Sequence, residues 1–385
     1  MRRPALPKIP PGVLSDRELK LALQAGWITA SRPIDDTQFQ PASLDLRLGA
    51  TAYQLRASFL PCGKTVLTRL HQPDYLVGEL VIDELSLEGG ATLQPRSVYL
   101  VPLLESLHLP PSIRGRCNPK STTGRLDIFT RLIADTSERF DEVEPGYRGP
   151  LYLEIAPQSF PIRVQTGASL NQLRLLKGTP AVSDSVLRRV YRDTPLLYGD
   201  DDRPVPLREV TLRTGLGMSI DLSGRLTDGL VGYRAQPNPP VVDLGKVGHY
   251  DPEDFWEPIK RPRGESFILE ANRFHILVSR ERIRVPPSYA AEMLVYDPGA
   301  GEIRTHYAGF FDPGFGFGDG GVLGTRVVME VRAREVPFLV YHGQTFFKVW
   351  FERLCGPPER LYGQGLPSSY QHQGLTLSKQ FRRPG

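Results

Sequence analysis

GPLYLEIA at residues 149–156 and TRVVMEVRA at residues 325–333 each set one acidic side chain, Glu154 and Glu330, inside an apolar run, 176 residues apart. The same shift recurs along the chain. ASLDL places Asp45 and MSIDL places Asp221; LPPSI begins its prolines at Pro110 and VPPSY at Pro286. FPIRVQTG and VPFLVYHG carry Pro161 and Gly167 against Pro337 and Gly343. Coincidences in one register and one order mark an internal duplication, which has to be settled before a fold is assigned. Each copy opens on a helix signal. LSDRELKLALQAGWI has Ser15 with Glu18 three residues on, the S-x-x-E start of a capped helix, and VSDSVLRRVYRDTPLLY from Val182 is its counterpart. The division therefore falls at 1–181 and 182–385.

Inside each copy the pattern is that of strands. ATLQPRSVYLVPL, GPLYLEIA and FPIRVQT in the first, and FILEANRFHILVS, TRVVMEVRA and VPFLVYHGQTFFKVWFERL in the second, alternate or run apolar between Gly and Pro punctuation. Parallel sheets would need helical crossovers, for which the spacings leave no room. Two mainly antiparallel, jelly-roll-like barrels, each behind a short helix, are expected.

Composition narrows the function classes. The 385 residues include 40% apolar and 23% charged side chains, ordinary for a globular protein, with 37 Gly and 36 Pro that favour turns over long helices. A formal charge of +4 is too small to argue for nucleic acid. No apolar stretch is long enough to span a membrane. MRRPALPKIPPG is basic without a following apolar run, so no secretory signal is expected. The cysteines Cys62, Cys117 and Cys355 are scattered and odd in number, which fits a reducing cytoplasm.

Two familiar chemistries fail on spacing. CGKT at 62–65 ends like a phosphate loop, but Ser58 stands where the first glycine is needed and no strand–loop–helix is expected around it. A zinc nucleoside deaminase needs H-x-E with C-x-x-C, and neither pattern occurs. NPKSTTGR at 118–125 is a better candidate. Lys120, Ser121, Thr122, Gly124 and Arg125 offer an ammonium, hydroxyls, approachable backbone and a guanidinium fork, a set that suits a polyphosphate. An ordinary basic turn would read the same way, and either glutamate could sit on a solvated strand face.

Context separates these readings. FDEVEPGYRGPLYLEIAP at 140–157, QPASLDLRLG at 40–49 and NQLRL at 171–175 resemble motifs of the deoxycytidine triphosphate deaminase and dUTPase superfamily, and LYGQGLPSSYQHQG at 361–374 resembles the closing tail of its deaminase branch. The resemblance covers nearly the whole chain and is nearest the long, internally duplicated bacterial form. It implies tandem dUTPase-like barrels of the jelly-roll or β-clip type, and hydrolysis of dCTP to dUTP and ammonia with a Glu as general acid and base. It implies Mg²⁺ carried by the triphosphate, no protein-bound zinc, a homo-oligomer with threefold or pseudo-threefold packing, and dTTP as a feedback inhibitor. By the same resemblance KSTTGR is the phosphate motif, with Lys120 in place of an Arg. Glu144 takes the place of the Asp that meets the deoxyribose, an Asp kept in the second copy as Asp312. The catalytic Glu falls on Glu154 or Glu330. Tyr362 and Gln373 match nucleotide contacts of the tail, whereas Ser369 replaces a Lys.

Which carboxyl works divides two schemes. In one, first copies pair among themselves around Glu154. In the other, Ser121 and Arg125 of a first copy serve Ala308, Asp312 and Glu330 of a second. HYAGFFDPGFG keeps the small Ala308 and the Asp, where the first copy has Phe140 and Glu144, and this favours Glu330. The alternatives are a dUTP pyrophosphatase, an enzyme doing both reactions, or a non-catalytic nucleotide-binding scaffold. The tail reads as a flexible lid, and its basic end, KQFRRPG, as a loose terminus.

Overall fold

The computed structural model describes residues 9–72, 78–294, 303–305 (backbone only), 309–317, 323–333, 335–364 and 370–383. It is mainly β, with few helices. The chain divides into two compact units. The first comprises residues 1–180 with 239–247 and 355–359; the second comprises 181–238, 248–354 and 360–385.

In the first unit, helix Asp16–Gln24 starts at the expected cap, with the Glu18 carboxylate accepting the Ser15 N–H at 2.9 Å and Leu19 and Ala22 buried. One sheet runs Glu142–Val143, Ile113–Pro119, Asn171–Lys177, Ser43–Leu46, Phe39–Gln40; a second runs Ile128–Ala134, Arg148–Pro157, Val98–His108, Thr51–Leu55, Val81–Ser86. The second unit repeats the central pairings. Strand Thr325–Ala333 lies beside Phe274–Ile283, as Arg148–Pro157 lies beside Val98–His108. Strand Tyr289–Leu294 pairs with Thr345–Arg353, as Ile113–Pro119 pairs with Asn171–Lys177. These pairings are antiparallel, as the short connections require.

The two copies differ in three places. Helix Asp184–Asp193, with Leu187 and Tyr191 buried one turn apart, begins 168 residues after Asp16 rather than 176, so the copies share a register only beyond their helices. Helix Val66–His71 follows CGKT, where none was expected; Thr65 caps it by accepting the Thr68 N–H at 3.1 Å, so this turn ends in a helix cap. The third difference is a strand exchange. The first unit's ribbon of Ala91–Leu93 and Ile162–Val164 gains a third, parallel strand, Val242–Asp243, from the 239–247 excursion. Val242 is fully buried there, its N–H bonds the Pro161 carbonyl at 2.9 Å, and the Leu244 N–H bonds that of Arg163 at 3.0 Å. The second unit's equivalent ribbon, Ser266–Leu269 with Phe338–Tyr341, is two-stranded.

A chain cut after residue 181 loses that strand and the Cys355 N–H bond to the Val13 carbonyl, leaving the edge at Ile162–Val164 open to other chains. Such a fragment is expected to aggregate in size-exclusion chromatography, in a concentration-dependent way that fusing residues 239–247 to it suppresses. A 1–181 fragment that is free of aggregates and as heat-stable as the fused one would show the excursion to be dispensable.

Candidate active site

The phosphate-type turn lies at the end of strand Ile113–Pro119. Lys120 caps the one-turn helix Ser121–Gly124, its carbonyl accepting the Thr123 and Gly124 N–H groups at 2.8 and 3.0 Å. The Thr123 hydroxyl donates to the Leu170 carbonyl at 2.8 Å, tying the turn to the NQLRL strand. Ser121 is exposed, Thr122 and Lys120 are half-buried, and Arg125 is 2% exposed. The Lys120 ammonium is held by the Asp45 carboxylate. Asp221, the repeat of Asp45, takes a different cation: Arg326 donates to it at 2.6 Å. Burial alone would push the Asp221 carboxyl up, but bonds from Arg326 and Ser223 together hold it below the usual carboxylate range.

The two strand-borne glutamates occupy the same row of their sheets. Glu154 faces Leu100, which faces Tyr53; Glu330 faces Ile276, which faces Tyr233. Both carboxyls are buried, at 1% and 6% exposure. On its other side Glu154 faces Arg131. Arg131 Nε donates to Glu154 Oε1 at 2.8 Å, and Nη2 donates to the same oxygen and to the Ser58 hydroxyl at 2.7 Å. The guanidinium lies 3.8 Å from the centroid of Phe140, the residue that replaces the small Ala of the second copy. Glu154 Oε2 is buried without a hydrogen-bond partner. Tyr152, two residues away on the same face, joins Leu55, Val66, Leu70, Leu100 and Ile133 in an apolar cluster, and burial pushes its hydroxyl up to about 12. Helix Val66–His71 thus helps cover the Glu154 face. Glu144 is exposed at the turn, its carbonyl accepting the Tyr147 N–H at 3.2 Å.

In the second unit several of the expected residues converge. Asp312 is buried in the loop DPGFG, whose Pro313 carbonyl accepts the Tyr362 N–H at 2.8 Å while the Phe315 and Tyr362 rings meet at a tilt with centroids 5.4 Å apart. Gln373 donates to the carbonyl of Arg326, on the strand that carries Glu330, at 3.2 Å. Asp312, Tyr362, Gln373 and the Glu330 strand are thereby brought into one neighbourhood. Ala308 and Ser369 lie outside the described residues, as do residues 295–302, the counterpart of the phosphate turn. His275, beside Ile276, is lowered to about 4, foremost by burial and then by the Arg234 charge, so it is neutral at pH 7.

Sequence reasoning missed Arg131, Gln371 and Arg326. An Arg within the apolar run IFTRLIA was the one available signal for the first; nothing in the sequence marks the other two. The basic end also differs from expectation. Phe381 is buried against Tyr250, Phe255 and Trp256, and the Lys379 and Gln380 carbonyls accept the Gly248 and His249 N–H groups at 2.9 and 2.8 Å. An aromatic side chain overrides the charge of its neighbours. Among the described residues, no three His, Cys, Asp or Glu side chains come together as metal ligands, and no helix is long and apolar enough to cross a membrane.

Each unit thus carries a buried carboxyl on a strand, the first with a basic hydroxyl turn and the second with an Asp-Pro-Gly loop under a carboxyl-terminal segment, groups suited to a phosphorylated substrate. Residues 10–179 match the family model "2'-deoxycytidine 5'-triphosphate deaminase (DCD) N-terminal domain", and residues 183–381 match that of its C-terminal domain. The crystal structure of 2'-deoxycytidine 5'-triphosphate deaminase from Agrobacterium tumefaciens is 43% identical, with a TM-score of 0.82 over 89% of this chain and 99% of that one. A protein named "dCTP deaminase, dUMP-forming" from Methanopyrus kandleri is 30% identical over 205 residues, 50% of this chain and 94% of its own. One of the same name from Mycobacterium leprae is 32% identical over 170 residues, 43% and 81%. A "dCTP deaminase" from Natronomonas pharaonis is 28% identical over 166 residues, 42% and 78%. The chain belongs to the dCTP deaminase family and is an enzyme.

Proposed function

We propose that the chain hydrolyses dCTP to dUTP and ammonia, with Glu330 as general acid and base. The observation that carries the choice of carboxyl is the bond from Arg131 to Glu154 under Phe140. A carboxylate already holding a guanidinium must give up that bond before it can handle water, which counts against Glu154. The convergence of Asp312, Tyr362 and Gln373 near the Glu330 strand supports the same choice.

In this reading the Glu330 carboxylate takes a proton from water as the oxygen adds to C4 of cytosine, and passes that proton to N3. It then takes the proton of the new C4 hydroxyl and delivers it to N4. The C4–N4 bond breaks with its electron pair on nitrogen, ammonia leaves, and the C4 carbonyl of uracil remains. One buried carboxyl among apolar strand neighbours suffices for each transfer. Lys120, Ser121, Thr122, Gly124 and Arg125 hold the triphosphate, Asp312 the deoxyribose, and Tyr362 and Gln373 close on the nucleotide. Mg²⁺ would arrive on the phosphates and screen their charge. The turn fits that arrangement, because its side chains are cationic or hydroxylic and its neighbouring carboxylate, Asp45, is engaged by Lys120. Tandem dUTPase-like barrels divided at 181/182, threefold or pseudo-threefold packing of like chains, and inhibition by dTTP belong to the same proposal.

The names of the Methanopyrus and Mycobacterium relatives favour a second reading, in which dUTP is split further to dUMP and pyrophosphate. Product analysis separates the two. With dCTP and excess Mg²⁺ we expect ammonia and dUTP in equal amounts, undiminished by a zinc-selective chelator. Pyrophosphate with dUMP would support the second reading, and loss of turnover on zinc removal would end the carboxyl mechanism.

A further inference from the structure

We propose that Gln371 is a positioning residue, a latch that pins the carboxyl-terminal segment to the Asp312 loop of the second unit and so sets Tyr362 and Gln373 for the nucleotide. The inference rests on the reading of the second unit as the place of base chemistry.

The Gln371 amide spans two pieces of chain. Its Oε1 accepts the Gly316 N–H at 3.1 Å. Its Nε2 donates to the Phe317 carbonyl and lies 3.4 Å from the carbonyls of Gly314 and Tyr362. A primary amide carries two donor hydrogens and one acceptor oxygen, so this side chain is fully used, and all of its partners are backbone groups of 314–317 or of Tyr362. The backbone is shaped for it. Gly314, Gly316 and Gly363 have φ of 91°, 73° and 80°. A Cβ on Gly363 would stand 2.9 Å from Gln371 Cγ, and one on Gly314 would stand 2.8 Å from Leu361 Cβ. Only glycine permits both the conformation and the approach.

The flanking residues extend the grip. The His372 N–H donates to the Thr325 hydroxyl at 3.2 Å, and Gln373 reaches the Arg326 carbonyl. Farther along, Phe381 is fixed in its aromatic surroundings. Among the described residues, the terminus is held at 371–373 and again at 381. It is committed to its own chain's Asp312 loop and Glu330 strand. Binding that would otherwise have to order a loose tail finds it already placed, which lowers the entropic cost of closure.

The test uses the full chain with Gln371→Ala and Gln371→Glu. Gly316 amide exchange reads the latch directly, because its hydrogen bond runs to the Gln371 side chain. Gln371→Ala is expected to speed exchange at Gly316 and over 370–376 about tenfold, to raise KM for dCTP about tenfold, and to leave kcat within about twofold. Gln371→Glu keeps the acceptor for Gly316 but loses the donor, so Gly316 stays protected while 370–376 loosens and KM rises. Exchange around Phe381 serves as the control for folding and is expected to be unchanged. Unaltered exchange at Gly316 in Gln371→Ala overturns the latch. Faster exchange with unaltered KM overturns its positioning role. A parent enzyme that releases no ammonia from dCTP refutes the functional reading instead, and the exchange result still decides whether the latch exists.

Discussion

Glu330→Gln is expected to lower ammonia release from dCTP by about 10²–10⁴-fold, the usual worth of a general acid–base group. Glutamine keeps the size and one acceptor oxygen, so dCTP still binds and KM moves little. What disappears is a group that can take a proton from water and return it to N3 and N4. Glu154→Gln is expected to leave most of the turnover, because the Glu154 carboxyl serves Arg131 rather than water. Steady-state ammonia assays on both variants decide between the carboxyls. Activity lost in Glu154→Gln and kept in Glu330→Gln would move the chemistry to the first unit and leave Glu330 a buried relic.

The sequence could name both glutamates and rank them by the residues near them in the repeat, but not by the partners their carboxyls meet, and the reason is physical. A shift of 176 residues is visible because turn prolines, glycines and strand apolar residues repeat wherever the backbone repeats. Asp45 and Asp221 share a place in that backbone, and so do Glu154 and Glu330. Partner choice is written elsewhere. Asp45 holds Lys120 whereas Asp221 holds Arg326, and Glu154 faces Arg131 only because strands Ile128–Ala134 and Arg148–Pro157 pair in one register. A cross-strand pair depends on that register, and a slip by one residue would turn Arg131 to the opposite face.

The same limit applies to shorter features. Val242–Asp243 is two residues long in PPVVDLG and has no periodicity to detect, yet it completes the first unit's ribbon. Gln371 bonds to backbone groups of 314–317, whose carbonyls and N–H groups point as they do because of glycine φ values, not because of any side-chain pattern. The phosphate turn was legible for the opposite reason. Its chemistry is carried by consecutive residues, so KSTTGR can be read without knowing what it faces.

Arg131→Ala is expected to destabilise the first unit by about 3–5 kcal/mol while leaving dCTP turnover largely intact. Glu154 is 1% exposed and its Oε2 already lacks a hydrogen-bond partner, so removing the guanidinium strands a buried charge. Its burial cost is then no longer offset by the paired cation and the two donated bonds. The charge is the cause, and that has a consequence a mere cavity would not share. In the Arg131→Ala background, Glu154→Gln is expected to restore stability, because a neutral amide is cheaper to bury than a lone carboxylate. In the parent, the same Glu154→Gln change costs stability by breaking the pair. Urea unfolding of the parent, the two single variants and the double variant closes the cycle, and the coupling is expected to reach a few kcal/mol with opposite signs of the Glu154→Gln effect in the two backgrounds. Phe140→Ala, which removes the ring beneath the guanidinium but neither charge, is expected to cost less than Arg131→Ala. If Glu154→Gln destabilises Arg131→Ala as much as it does the parent, the pair contributes little, and Glu154 regains its claim to the chemistry.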